Sequence, residues 1–279
     1  MIIDEALFMG IRELNNYNIE ESNLKAKLLI SNALNVTKEY ILIHGNEEFP
    51  VDKLNEYLEK IERVAKGEPI QYVMNLQEFF GLNFYVDENV LIPQPDTEIL
   101  IEEVIKIIRK ENRDLKILDL CTGSGAIGVC LAKENNTSVT ASDISAKALE
   151  VAKRNCTMNN VKMNLVQSDL FEKITDGEFD IIVSNPPYIE TKVIDTLSRE
   201  VKAEPRIALD GGEDGLDFYK KIAKESNRFL STKGYLIVEI GYNQKDSVIK
   251  IFEENGYTNI YAIKDLGKND RVIVANKGM

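Results

Sequence analysis

From Leu115 onward, short apolar runs alternate with segments of helical spacing, and this alternation restricts the possible folds more than any other feature of the chain. Leu115–Leu120 is an apolar run, Ala126–Lys133 is helical, Ser138–Ala141 is strand-like and Ala146–Asn155 is helical again. Further strands are expected at Asn164–Gln167, Ile181–Ser184 and Tyr235–Ile240. Runs this apolar suit strands buried on both faces, and strand-helix-strand order puts the crossover helices on those faces. The last two strands, near Ile260–Lys264 and Arg271–Ala275, are separated only by the short polar segment 265–270. A link that short makes a hairpin, so one antiparallel strand is expected in an otherwise parallel α/β sheet.

The first 65 or so residues read differently. Ile3, Leu7, Ile11 and Leu14, then Leu24, Leu28 and Leu29, then Leu54, Leu58, Ile61 and Val64 recur at helical spacing, which predicts a small helical bundle over residues 1–70. Gly67 and Pro69 close its last helix. Gln71–Leu91 is rich in aromatic and β-branched residues around Gly81; this predicts a β-hairpin linker, with the α/β domain occupying 92–279. A helix is expected from Thr97 to Arg109.

The charge balance, 34 Lys+Arg against 46 Asp+Glu for a net −12, offers no basic footprint for neutralising many phosphates. Tight nucleic-acid binding is therefore not expected. Three cysteines, Cys121, Cys130 and Cys156, make neither a disulfide framework nor a zinc motif, so a reducing cytoplasm is the expected location and no metal is expected. The N-terminal segment lacks a basic region followed by an apolar stretch, and no run reaches the ~18 apolar residues that a membrane span needs. The single histidine, His44, ends a short helix, where a ring that hydrogen-bonds the last carbonyls suits it better than catalysis.

Chemistry concentrates where predicted strands end. Cys121-Thr122-Gly123-Ser124-Gly125 follows the first strand and opens a helix; glycines there let the backbone turn sharply and approach a ligand at the carboxyl edge of the sheet. Asp143, with Ile144 after it, ends the second strand about 20 residues on, the distance at which an acidic side chain accepts ribose hydroxyls in dinucleotide sites. Asp143 is equally suited to cap the next helix, as is Ser145. Asp169, followed by Leu170, is placed to meet an adenine amino group or to make a loop hydrogen bond. Asn185-Pro186-Pro187-Tyr188 follows the apolar strand Ile181–Ser184. Two prolines cannot continue a ladder, so a stiff extended turn holds the Asn185 side chain and the Pro186 carbonyl as fixed acceptors.

Together these residues resemble the Rossmann-like S-adenosylmethionine-dependent methyltransferases, and Asn-Pro-Pro-Tyr resembles the signature of those that methylate an amide or exocyclic amino nitrogen. Gly67-Glu68-Pro69-Ile70-Gln71-Tyr72, Leu91-Ile92-Pro93-Gln94-Pro95-Asp96-Thr97-Glu98 and the segment from Glu204 to Leu216 are similar to segments of the peptide chain release factor N5-glutamine methyltransferases, the PrmC or HemK family. The likeness runs in order through the whole chain. It implies a seven-stranded methyltransferase sheet, S-adenosylmethionine as cofactor, and the glutamine of the Gly-Gly-Gln tripeptide of class 1 release factors as substrate. It further implies cofactor contacts from Cys121, Thr122, Gly123, Ser124, Gly125, Asp143, Ile144, Asp169, Leu170 and Asn185. Catalysis is assigned to Asn185, Pro186 and Tyr188, with Pro187 beside them in the substrate site. The helical residues 1–70 would grip the release factor. One departure is Gln94, where the family often has arginine between the prolines. The competing readings are a glutamine methyltransferase acting on a ribosomal protein, a DNA adenine N6-methyltransferase, and a module that binds S-adenosylmethionine without turnover.

Overall fold

The computed structural model describes residues 1–175 and 177–278. The chain divides into two units: Met1–Leu76 with Ser198–Ala203, and Gln77–Leu197 with Glu204–Met279.

The first unit is helical, with α1 (Ile3–Asn16), α2 (Ser22–Leu34), α3 (Lys38–Ile43), α4 (Val51–Ala65) and α5 (Ile70–Met74). The expected apolar positions Ile3, Leu7, Leu14, Leu29, Ile61 and Val64 all fall in its core. Residues 71–74 were expected to begin the hairpin, and here the structure differs. Pro69, fixed near φ −55°, starts a helical turn whose Ile70 and Val73 pack into the bundle core. Burial against the other helices outweighs the β preference of those side chains. The segment 198–203 belongs to this unit through the Lys25–Glu200 ion pair at 2.6 Å.

The second unit opens with the hairpin β1 (Gln77–Phe79) and β2 (Leu82–Phe84), shorter than the expected 71–91. Phe79 and Phe84 bury their rings in the same core as the sheet, so the hairpin is part of this unit rather than a free-standing linker. Next come α6 (Thr97–Glu111), β3 (Leu115–Leu120), α7 (Ala126–Leu131), β4 (Thr137–Asp143), α8 (Ala146–Met158), β5 (Asn164–Gln167) and β6 (Phe179–Ser184). Short helices α9 (Thr191–Ile194) and α11 (Arg206–Leu209), separated in sequence by α10 (Arg199–Lys202) of the first unit, lead to α12 (Asp217–Ser226), β7 (Leu230–Glu239), α13 (Lys245–Glu254), β8 (Tyr257–Lys264) and β9 (Asp270–Lys277). The seven strands β3–β9 form one sheet in the order β5-β4-β3-β6-β7-β9-β8, in which only β9 runs against the others.

Alternate residues of each strand feed opposite cores, the expected period of two. Ile117, Ile181, Ile237 and Val274 face the core beneath α6, α7 and α8, whereas Leu118, Ile182, Leu236 and Ile273 face the one beneath α12 and α13. Every one of these side chains is fully buried, each stabilising the unit by roughly 1.5–3 kcal/mol.

Register determines where the site forms. Leu120 pairs with Ser142 on one side and Ser184 on the other, and Ser184 pairs with Val238. The turns after β3, β4, β6 and β7 therefore leave the carboxyl edge at one level. The chain order reverses about β3, the switch point at which such sheets bind ligands.

Candidate active site

A cavity opens at that edge in the second unit. Cys121, Thr122, Gly123 and Ser124 line it from the turn after β3, Asp143 and Ile144 from the end of β4 and the turn after it, Asp169 and Leu170 after β5, and Asn185 and Pro187 after β6. Those expected residues come together from four loops. Gly125, Pro186 and Tyr188 do not line the cavity. Gly125 instead starts α7 with φ +79°, and a Cβ there would lie 3.0 Å from the Ala152 methyl, so its work is to let α7 and α8 close.

The turn is tightly built. Cys121 and Gly123 take left-handed conformations, φ +58° and +52°, and Gly125 N–H donates to the Thr122 carbonyl at 2.8 Å. Asp143 Oδ2 accepts from Gly123 N–H and Oδ1 from Ser145 N–H, each at 2.9 Å. Ser145 also caps α8 by accepting from Ala148 N–H at 3.2 Å. Of the two uses open to Asp143, capping thus falls to Ser145, while Asp143 ties the glycine turn to β4. Its two oxygens retain lone pairs for further donors. Burial pushes the Asp143 carboxyl up, against the pull of the backbone N–H groups that bond it.

Beneath the turn, Asp119 is fully buried; Oδ2 accepts from Thr122 Oγ1 at 2.5 Å and Gly128 N–H at 3.0 Å, and burial raises its carboxyl to about 7.

Asn185 Nδ2 donates to Thr97 Oγ1 at 3.3 Å, and Thr97 Oγ1 donates to Glu239 Oε2 at 2.6 Å. Tyr188 O–H donates to Glu239 Oε1 at 3.3 Å, and its backbone carbonyl accepts from Gln244 Nε2 at 3.0 Å. Thr97 and Glu239 were not singled out from sequence. The available signal was a charged residue closing the fully apolar Leu236-Ile237-Val238 run, where a strand end costs a carboxylate dearly unless it has a task. Gln94, exposed at the cavity, donates from Nε2 to the Ile92 carbonyl at 3.0 Å.

The cavity fits S-adenosylmethionine in the chemistry of its donors. Gly123 leaves open space where a side chain would stand, and Asp143 and Asp169 supply anionic acceptors suited to hydroxyl, amino and cationic groups. His44 lies elsewhere, in the helical unit, stacked on Tyr40 with ring centroids 4.0 Å apart and bonded through Nδ1 to Glu47 at 2.8 Å. Among the described residues no helix is long and apolar enough to cross a membrane.

Comparison with known proteins identifies the family of both parts of the chain. Residues 5–74 match the PrmC N-terminal domain and residues 95–214 the methyltransferase small domain. The chain is 40% identical over 284 residues to the release factor glutamine methyltransferase of Clostridium acetobutylicum, covering 100% of this chain and 99% of that one. It is 40% identical over 275 residues to that of Fusobacterium nucleatum, covering 97% and 77%. In fold it is similar to a methyltransferase from Pyrococcus furiosus, with a TM-score of 0.55 at 20% identity, covering 82% and 99%.

Proposed function

Because the chain belongs to the release factor glutamine methyltransferase family, we propose that it methylates the side-chain amide nitrogen, N5, of the glutamine in the Gly-Gly-Gln tripeptide of class 1 peptide chain release factors, using S-adenosylmethionine. The observation that carries this reading is that Asn185 lines the same cavity as the glycine turn and Asp143. A fixed amide acceptor beside a nucleoside-type cradle suits transfer to a nitrogen.

When bound, S-adenosylmethionine supplies an electrophilic methyl group on a sulfonium centre. The protein has to make a poor nucleophile react, since the amide lone pair is delocalised into its carbonyl. Asn185 Oδ1 accepts one amide N–H, and the family resemblance gives the other to the carbonyl of Pro186, between the lining residues Asn185 and Pro187; both acceptors favour the positive charge that grows on nitrogen. Holding that nitrogen in line supplies much of the rest, since positioning is worth ~7 kcal/mol or more in ideal cases. No strong base is needed, because the product nitrogen loses its proton after transfer. Asp143 holds ribose hydroxyls, Asp169 an adenine amino group, and the backbone of 121–124 with Ile144 and Leu170 encloses the cofactor.

The helical residues 1–70 hold a distant surface of the release factor, a role supported by the exposed apolar side chains Phe8, Leu42, Ile43 and Val51. A grip there supplies the remote binding energy that orients a weak nucleophile. Acting on a translation factor assigns the protein to the cytoplasm.

The test is to incubate the full chain and labelled S-adenosylmethionine with a purified release factor, a ribosomal protein preparation and adenine-containing DNA, then to map the label by mass. Label on the Gly-Gly-Gln glutamine is expected. Label confined to a ribosomal protein or to DNA, or none at all, overturns the reading.

A further inference from the structure

An asparagine that accepts from a substrate amide must offer oxygen, not NH2, and the two ends of a carboxamide have nearly the same shape. Something has to choose between them. Thr97, which itself lines the cavity beside Asn185, and Glu239, which does not, are 4% and 2% exposed and continue the hydrogen-bond chain from the Asn185 amide. An ionised carboxylate only accepts, so the hydroxyls of Thr97 (2.6 Å) and Tyr188 (3.3 Å) both point their protons at Glu239. With its single proton so committed, Thr97 can only accept from Asn185. That turns Nδ2 toward Thr97, 3.3 Å away, and leaves Oδ1 as the end that is free.

We propose that Thr97 and Glu239 are positioning residues that fix the polarity of the Asn185 amide, so that the site takes a group with two N–H donors, a primary amide, and rejects a carboxylate. This rests on the methylation reading and deepens it. In the opposite orientation Asn185 Oδ1 would face the Thr97 oxygen, two acceptors with no proton between them, and Nδ2 would face the N–H donors of the substrate amide, so both contacts would be lost.

The same chain of bonds predicts a pH response. Glu239 is surrounded by Thr97 and Asp96 at the start of α6, Tyr188 after β6, Arg271 on β9 and Tyr219 on α12, whose hydroxyl donates to the Glu239 backbone carbonyl at 2.9 Å. Arg271 is itself paired to Asp96 and Asp265, each at 3.1 Å. Burial, the largest influence, raises the Glu239 carboxyl to about 7. Once protonated it can donate to Thr97, whose proton is then free to turn toward Asn185 Oδ1 and rotate the amide.

The test compares wild type, Thr97→Val and Thr97→Ser on whole release factor, with S-adenosylmethionine affinity measured by calorimetry. Thr97→Val is expected to lower kcat about 100-fold, the loss typical of one misplaced acceptor. Cofactor Kd should stay within about threefold, and Thr97→Ser should recover most of the rate. Wild-type turnover in Thr97→Val, or equal losses in the two variants, overturns the proposal. Should Thr97→Val fail to bind cofactor, Tyr188→Phe decides: losing a donor to Glu239 raises that carboxyl further, so the acid limb of kcat moves to higher pH, and an unmoved limb overturns the proposal. A wild type inactive on release factor refutes the parent reading and this one with it, whereas an active wild type with an active Thr97→Val refutes this one alone.

Discussion

Replacing Gly211 by alanine tests whether the rigidity of the Asn185–Tyr188 turn matters to the rate. Gly211 N–H donates to the Ile189 carbonyl at 2.8 Å, and Ile189 N–H donates to the Leu209 carbonyl at 3.0 Å. A Cβ at Gly211 would lie 2.7 Å from Tyr188 Cα, 2.9 Å from the Pro187 oxygen and 2.9 Å from the Tyr188 carbonyl carbon. All three are backbone atoms, so no side chain can swing aside. Ordinary separations are ~3.5–4.0 Å, so the segment from Pro187 to Tyr188 must retreat by roughly 0.6 Å or more. Displacement of about 1 Å at a reacting centre costs ~100-fold, so kcat should fall between about 10-fold and 100-fold. The stability loss expected of overpacking is about 1–3 kcal/mol. Because Gly123 and Asp143 are untouched, cofactor Kd should hold within a few-fold. The assay is turnover on whole release factor beside calorimetric titration and a melting curve. A lowered melting temperature with kcat within twofold of wild type would refute the reasoning, because the 209–212 segment would then have given way instead.

Asn185→Ala should leave cofactor affinity within a few-fold and lower kcat by ~10²–10³, since it deletes an acceptor needed in the transition state; near-normal turnover would remove Asn185 from the mechanism. Asp143→Ala should weaken cofactor binding by ~10²–10⁴, two charged hydrogen bonds at about 1.5–3 kcal/mol each. It should also lower the melting temperature, because Gly123 N–H and Ser145 N–H lose their acceptor; an unchanged titration would exclude a ribose role. Glu204 accepts from Ile92 N–H at 2.9 Å, and burial raises its carboxyl to about 7, against ~4.3 in an unfolded chain. The folded state therefore binds the proton more tightly, and this group's contribution to stability falls as pH rises from about 4.5 to 7. Glu204→Gln keeps an acceptor but cannot ionise, so by scanning calorimetry it should melt several kelvin above wild type at pH 8, with the gap closing toward pH 4.5; a constant gap would contradict this.

Much of the catalytic unit is written locally. A strand buried on both faces has to be apolar nearly throughout, so β3 could be bounded to the residue; the partly exposed edge strand β5 was bounded by its polar ends, Asn164 and Gln167, and the antiparallel β9 followed from the length of one polar link. Glycines with positive φ and consecutive prolines act on their own backbone, which is why the turns at 121–125 and 185–188 could be assigned as strand-ending turns without knowing their neighbours. What lay beyond the sequence depended on partners distant along the chain. Ile70–Met74 carries strand-like side chains yet forms a helix, because the bundle buries Ile70 and Val73. The segment 198–203 interrupts the second unit in sequence but belongs to the first. Thr97 and Glu239 are 142 residues apart, and each alone reads as an ordinary helix start and strand end. They continue the hydrogen-bond chain from Asn185 because Ser184 pairs with Val238, which sets Glu239 beside the turn that follows β6. Periodicity tells which face of an element is buried, since the burial pattern repeats along the element itself; strand register and helix docking decide what each buried polar group finds there, and those are properties of the assembled sheet.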